Sequence, residues 1–200
     1  MSPSCFPSMF TKKYWSKAFS EYRNLKSLML AGLTIALATV ISMIYIPVGL
    51  NLRISFTFLV LIFGSMLFGP AVGAAAGIAY DLVSFLLFPS GVFFPGYTLS
   101  SMLELFIYGL FLYRSQISVV RIFVMKFIVD FAIHVGLGSL WSEMLFGKGY
   151  YYFFVKSLVK NTIMLPIEVV MIVVLLRIFL PVLVRRGLMP EQKKKWISLV

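Results

Sequence analysis

The sequence predicts an all-α integral membrane protein with six transmembrane helices, and three observations carry that prediction. Of its 200 residues, 60% are hydrophobic and 12% charged, with a mean hydropathy of +0.97. A soluble domain of this size could not bury that much apolar surface. The apolar residues run continuously rather than alternating, which favours helices over a β-barrel, and the basic residues gather at the edges of those runs. Since about 20 apolar residues cross the hydrocarbon core, spans are drawn at 28–48, 54–69, 71–88, 98–114, 118–141 and 153–184. The second and fourth are short, and the sixth is long enough to tilt or to extend past the bilayer.

These spans divide the chain into a basic amphipathic N-terminal segment (1–27), a six-helix membrane domain (28–184) and a basic tail (185–200). Residues 1–27 contain no continuous apolar stretch of the kind a signal peptide needs, and are expected to lie on the cytoplasmic surface. Lys12, Lys13, Lys17, Arg23 and Lys26 precede the first span, Arg114 and Arg121 bracket the turn between the fourth and fifth, and Arg185, Arg186, Lys193, Lys194 and Lys195 follow the sixth. With six spans all three groups fall on one side, the cytoplasm, together with both termini. The net charge of +11 is therefore a topology signal, and nucleic-acid binding is not expected. Cys5 is the single cysteine, so no internal disulfide forms.

In the first span, Gly32 and Ala36 form one small-residue row and Thr34, Ala38 and Ser42 another; each allows close helix approach, within the chain or to a partner protein. Pro47 and Gly49 end the span, and Asn51-Leu-Arg53 makes an outward turn in which Arg53 is an interfacial anchor or a ligand contact. Phe68-Gly-Pro70 is a tight turn that opens the row Gly69, Gly73, Gly77, Asp81, a helix face of nearly bare backbone ending in a carboxylate. Asp81 is expected to be structural, paired with a Lys, an Arg or a backbone group.

The stretch from Phe88 to Tyr113 begins as an uncharged loop punctuated by Pro89, Gly91, Pro95 and Gly96. Val92, Phe93 and Phe94 are too apolar for a water-washed loop and are expected to fold back as a flap. Thr98 can cap the helix that follows, on which Ser100, Glu104 and Tyr108 recur every four residues and share a face. The fifth span carries Lys126, Asp130, His134 and Gly138 at the same spacing, with Trp141 beyond. Lys126 and Asp130 can form an ion pair one turn apart, a structural role that lowers the cost of both charges. His134 is the only histidine, so hydrogen bonding is expected of it rather than metal ligation. Trp141 is either an interfacial belt residue or a stacking partner for an aromatic ligand. The sixth span puts Lys156, Lys160, Met164 and Glu168 on one face, with Asn161 beside it and Pro166 to bend it. Polar rows converging from three apolar helices describe a ligand cavity.

No GxxxxGK[ST], H-E-x-x-H or GxSxG motif occurs, so neither ATP hydrolysis nor a catalytic nucleophile is supported and no cofactor is expected. The competing class is an intramembrane enzyme using Asp81, Asp130 and His134.

Together, Asn51-Leu-Arg-Ile-Ser-Phe56, Leu67-Phe-Gly-Pro70 with its glycine row, Phe88 to Ser100 and Ile107-Tyr-Gly-Leu-Phe-Leu-Tyr113 resemble the substrate-binding S components of energy-coupling factor (ECF) vitamin transporters. Trp141 with Phe146-Gly-Lys148, and Val159-Lys-Asn161 leading to Leu165-Pro-Ile-Glu168, narrow the resemblance to folate-specific S components. It covers residues 28–180 and implies an S-component bundle in a bacterial plasma membrane. Such a protein captures folate outside, docks on a transmembrane coupling protein and two ATPases, and topples to release vitamin inward. Riboflavin or thiamine is the alternative vitamin. The resemblance favours a partner interface for Gly32 and Ala36. The chain departs from the family at Met43, where many relatives have Arg, and at Glu104, where they often have Gly. A carboxylate there can accept two hydrogen bonds from the amino-pyrimidine edge of a pterin. Trp141 or a flap aromatic, Phe94 or Tyr97, would stack on the rings, and Lys156, Lys160 or Arg53 would face the glutamate tail. Ser100, Tyr108, His134 and Asn161 complete the expected binding set.

Overall fold

A computed structural model gives the architecture of residues 12–49, 52–89, 92–147 and 149–189. Cys5, Asn51, Gly91, Lys148 and the basic run Lys193, Lys194, Lys195 lie outside these described residues. The elements in order are α1 (Lys12–Ser20), a 3-10 turn (Glu21–Arg23), α2 (Leu25–Ser42), β1 (Tyr45–Gly49), β2 (Leu52–Ser55) and α3 (Thr57–Leu87). Then come α4 (Pro95–Leu112), α5 (Val119–Ile128), a π-helix (Val129–Leu137), α6 (Gly138–Phe146) and α7 (Tyr150–Arg185). By length and composition α2, α3 and α7 can each cross a membrane.

The first span ends earlier than expected. Helix α2 stops at Ser42, and residues drawn as its last turn form an antiparallel hairpin pairing Tyr45 with Ser55 and Pro47 with Arg53. The reason is Pro47, which has no N–H to give a helix and biases the residue before it towards extended backbone. The hairpin register slips between Pro47 and Gly49. Arg53 thus sits in a strand, and its side chain lies outside the described set.

The second and third spans appear as one element, α3, broken at Gly69, whose φ of 82° and ψ of 177° leave the helix. Pro70 then opens the second half, as it can at a helix start. The glycine row sets how α4 lies on this half. A Cβ on Gly69 would stand 3.1 Å from the Tyr113 ring, one on Gly73 2.8 Å from the Leu105 carbonyl, and one on Gly77 2.8 Å from the Met102 Cα. From the other side, a Cβ on Gly109 would meet the Pro70 nitrogen at 2.6 Å. The two helices are therefore antiparallel with backbone against backbone, in a register that repeats every four residues. That register ends where Thr98 Oγ1 donates to Asp81 Oδ2 at 2.6 Å. Two expectations are corrected here: Asp81 takes a hydroxyl rather than a Lys, Arg or backbone partner, and Thr98 is not a cap. Pro95 starts α4 one turn earlier, with Phe94 as the capping residue.

Of the two small-residue rows on α2, Thr34 and Ala38 are buried, and Thr34 fills the space beside Gly64 of α3. Gly32 and Ala36 are on the outer face, and a Cβ on Gly32 would meet nothing within 4 Å.

The N-terminal segment docks on the protein itself. Tyr14 is 2% exposed, and its hydroxyl donates to the Gly109 and Leu110 carbonyls in the last turn of α4. Trp15 stacks on Phe106 at 6.1 Å, and Tyr22 donates to the Ala71 carbonyl at 2.7 Å. Glu21 accepts from Ser27, Asn24 and Tyr113, with Arg114 at 3.9 Å. Burial pushes the Glu21 carboxyl up, but the hydrogen bonds and Arg114 outweigh it and hold the pKa below the usual value.

Candidate functional site

A cavity of about 600 Å³ opens among α3, α4, the π-helix, α6 and α7, and it gathers charge that an apolar bundle otherwise excludes. At its floor Lys126 Nζ lies 2.8 Å from Asp130 Oδ1 and also contacts Glu168 of α7. Phe58 covers the ammonium with its ring centroid at 5.1 Å. Lys126 is 2% exposed and Asp130 1%, so each depends on the other for its charge. A helical turn nearer the α6 end, Glu104 of α4 faces His134, with Oε2 3.8 Å from Nε2. The fully buried Tyr108 donates to Glu104 Oε1 at 2.7 Å and fixes that carboxylate from behind. Lys156 and Lys160 are exposed at the mouth, while Ser157 Oγ donates to the His134 carbonyl and accepts from the Asn161 amide.

The π-helix decides which residues of the fifth span reach this cavity. Its i to i+5 hydrogen bonds, such as Gly138 N–H to the Ile133 carbonyl, take one more residue into each turn than an α-helix does. Lys126, Asp130, His134 and Gly138 consequently all line the cavity, as do Ser139 and Ser142. At 3.6 residues per turn Ser139 would face the opposite side from Asp130. That is why the helical row read from the sequence omitted it.

Of the expected binding residues, the fold brings Glu104, His134, Lys156, Lys160, Asn161 and Tyr97 to the cavity wall, joined by Lys126 and Asp130, which were expected to be structural. Trp141, Phe94, Ser100 and Tyr108 do not line it. Trp141 Nε1 donates to Ser100 Oγ at 3.0 Å and its ring lies 5.6 Å from that of Phe94. Gly96 makes room for this contact, since a Cβ there would fall 2.6 Å from the indole. Trp141 therefore clamps the flap to α4 rather than standing open to a ligand. Tyr108 supports Glu104 from the core. The flap residues Val92, Phe93 and Phe94 line a second, more apolar cavity of about 870 Å³. It shares Ser42, Tyr80 and Tyr97 with the first. Asp81 belongs to this second wall, apart from Asp130 and His134, so the three residues of the enzyme alternative are not assembled at one place. Ser139, Ser142, Ser157 and Tyr80 are among the wall residues that sequence reasoning missed, as are Ser55 and Thr57. Serines carry no charge signal, and only the π turn or a tertiary contact turns them inward.

The chain is similar to known proteins. A folate transporter FolT of Clostridium novyi (strain NT) is 35% identical over 121 residues, covering 60% of this chain and 70% of that one. The folate transporter FolT of Leuconostoc mesenteroides subsp. mesenteroides is 27% identical over 151 residues, 72% of this chain and 80% of the relative. Among solved structures, the crystal structure of FolT bound with folic acid is similar, with a TM-score of 0.65 and 33% identity over 73% of this chain and 88% of that one. The family model described as the S component of the ECF-type riboflavin transporter matches residues 23–185. With helices long and apolar enough to cross a membrane, a built polar cavity and a family match over most of its length, the chain belongs to the S components of ECF-type transporters.

Proposed function

We propose that the chain is a folate-binding S component: it spans the plasma membrane six times, captures folate from outside, and delivers it inward when docked on a coupling protein and two ATPase subunits. The observation that carries this reading is the graded cavity. Glu104, held by Tyr108 and facing His134, offers carboxylate acceptors inside, while Lys156 and Lys160 stand at the mouth. A pterin presents N–H donors that a carboxylate accepts, and the glutamate tail presents carboxylates that ammonium groups attract. A ligand lying with its ring inward and its tail outward satisfies both ends. The names of the relatives and of the similar folic acid complex support the same choice.

In this reading both termini are cytoplasmic, residues 1–27 and 185–200 flank the membrane domain on that side, and Gly32 and Ala36 form part of the face that meets the coupling protein. Transport needs no chemistry from this chain, so it is not an enzyme. Phe94 and Trp141 act on binding through the flap, and Arg53 of the hairpin would face the glutamate tail.

The riboflavin wording of the matching family model favours a second vitamin as the competing ligand. Equilibrium titration of the purified chain in detergent, read by tryptophan fluorescence, separates the two. Folic acid is expected to saturate one site that riboflavin does not compete for, and Glu104→Gln is expected to weaken it about tenfold or more. Riboflavin displacing folic acid, or binding in its place, would overturn the folate assignment.

A further inference from the structure

Among the described residues, five buried side-chain polar atoms have no hydrogen-bond partner in the protein, and two of them stand in the wall of the charged cavity: Asp130 Oδ2 and Ser139 Oγ. Both residues are 1% exposed. Buried polar atoms are rarely left unpaired, because each gives up water and gains nothing. The mechanism proposed above uses neither of them. Asp130 has engaged only its Oδ1, with Lys126. Lys126 is itself shared with Glu168, so two carboxyl groups at the floor face one ammonium. The other charged or titratable groups of this cavity, Tyr80, Tyr97, Glu104, His134, Lys156 and Lys160, are drawn from α3, α4, the π-helix and α7, and no described residue hydrogen-bonds Asp130 Oδ2.

The backbone has been shaped to present this pair. Residues nine apart oppose each other on an α-helix, but the π-helix between them carries Asp130 and Ser139 to the same cavity. π-Helical turns of this kind concentrate at functional sites. The pair is not a single small pocket, since nine residues at a helical rise separate the two by roughly 10 Å or slightly more along the axis. Asp130 lies at the level of Lys126 and Glu168. Ser139 lies beyond His134, towards Ser142 and Tyr97. One elongated ligand could meet both.

We infer that Asp130 Oδ2 and Ser139 Oγ are two specificity-determining contacts for the ligand of this cavity. Asp130 accepts an N–H from the innermost heteroaromatic ring, and Ser139 pairs with a polar atom near the ligand's middle. The inference rests on the folate reading for the identity of these groups: a ring or exocyclic N–H of the pterin for Asp130, and the aminobenzoyl amide region for Ser139. It adds a second carboxylate to Glu104. Glu104 Oε1 already accepts from Tyr108, whereas Asp130 Oδ2 has its full accepting capacity left for a ligand.

The test titrates wild type, Asp130→Asn and Ser139→Ala with two probes, folic acid and pterin-6-carboxylate, in detergent, with a thermal midpoint recorded for each apo protein. Asp130→Asn is expected to weaken both probes about 30-fold, in keeping with a hydrogen bond to a charged group. Ser139→Ala is expected to weaken folic acid about fivefold and leave the pterin fragment unchanged. Ser139 Oγ holds nothing in the protein, so this variant keeps the wild-type midpoint and decides the matter if Asp130→Asn fails to fold. Variants that fold and bind folic acid within twofold of wild type overturn the inference. A wild-type chain that binds riboflavin and not folic acid overturns the folate reading alone. The subsite is then judged by the same variants against riboflavin, whose ring also carries an N–H. A wild type that binds neither overturns both.

Discussion

The two ends of this bundle treat buried polar groups differently. Where α1 and the 3-10 turn dock on the Gly69 break and the end of α4, the polar atoms of the docking segment close on one another, although Gln116 Nε2 in the turn after α4 and Arg121 Nε in the first turn of α5 stay unpaired. Tyr14 and Tyr22 donate to backbone carbonyls, Tyr113 donates to one oxygen of Glu21, and Ser27 and Asn24 occupy the other. In the cavity, Lys126 answers for two carboxylates, His134 stands 3.8 Å from Glu104, and Asp130 and Ser139 keep free atoms. The first pattern is what a scaffold needs, because a satisfied network rigidifies. The second is what a binding site needs, because affinity comes from groups the protein has left for its ligand. The same residue types serve both ends, and what separates them is whether the protein itself completes the hydrogen bonds.

The sharpest way to break the contrast is Lys126→Met. It leaves the buried Asp130 and the half-buried Glu168 without their shared cation, and a loss of about 3–5 kcal/mol is expected. Thermal unfolding of the purified protein in detergent would read it. A stable variant would mean that the floor carries less uncompensated charge than its geometry indicates. Next in size is Gly109→Val. With a Cβ there only 2.6 Å from the Pro70 nitrogen, α4 must move away from α3. Overpacking of this kind costs about 3 kcal/mol when the obstacle is backbone. Folate binding should fall with it, because Glu104 rides on α4.

Tyr108→Phe tests the border between the two patterns, since this hydroxyl is scaffold on one side and site on the other. Removing it frees Glu104 Oε1, and folate affinity is expected to fall about fivefold by titration while the fold is kept. At the satisfied end Glu21→Gln should lower the thermal midpoint by a smaller amount and leave folate affinity unchanged. Its pH signature has a definite sign. The folded pKa is depressed, so the stability contributed by Glu21 is present above the ordinary carboxylate range and is lost as pH falls through the folded value. The variant should accordingly show less acid destabilisation than wild type. The smallest effect is expected of Gly32→Leu. Open space surrounds that position, so midpoint and affinity of the isolated chain should both stay as they are. Uptake by cells that also carry the coupling module should fall if this face is the docking surface.

Much of this was legible beforehand. The Gly69, Gly73, Gly77, Asp81 spacing marked a helix face of nearly bare backbone, and α4 packs along that face in the same register. Glu104, His134, Lys156 and Lys160 could be picked out because charge within an apolar run is costly and conspicuous. The contacts of Trp141 with Ser100 and Phe94 were not legible, because a sequence does not reveal which distant residues an indole meets. The hairpin at Pro47 was hidden by the apolarity of its residues, which suits a helix end and a strand equally.

Taken alone, the sequence determined the class of the protein and which charged residues sit within its apolar segments, since hydropathy and the cost of buried charge are properties of the residues themselves. Only the tertiary structure decided which polar atoms are spent and which are free. That depends on partners far apart in the chain, such as Tyr108 behind Glu104 and Glu168 against Lys126, and on a π turn whose hydrogen bonds leave no mark in composition. A local rule of periodicity carries a helix face forward at 3.6 residues per turn, and the change of pitch at Val129 is where that rule stops predicting which side chains meet the ligand.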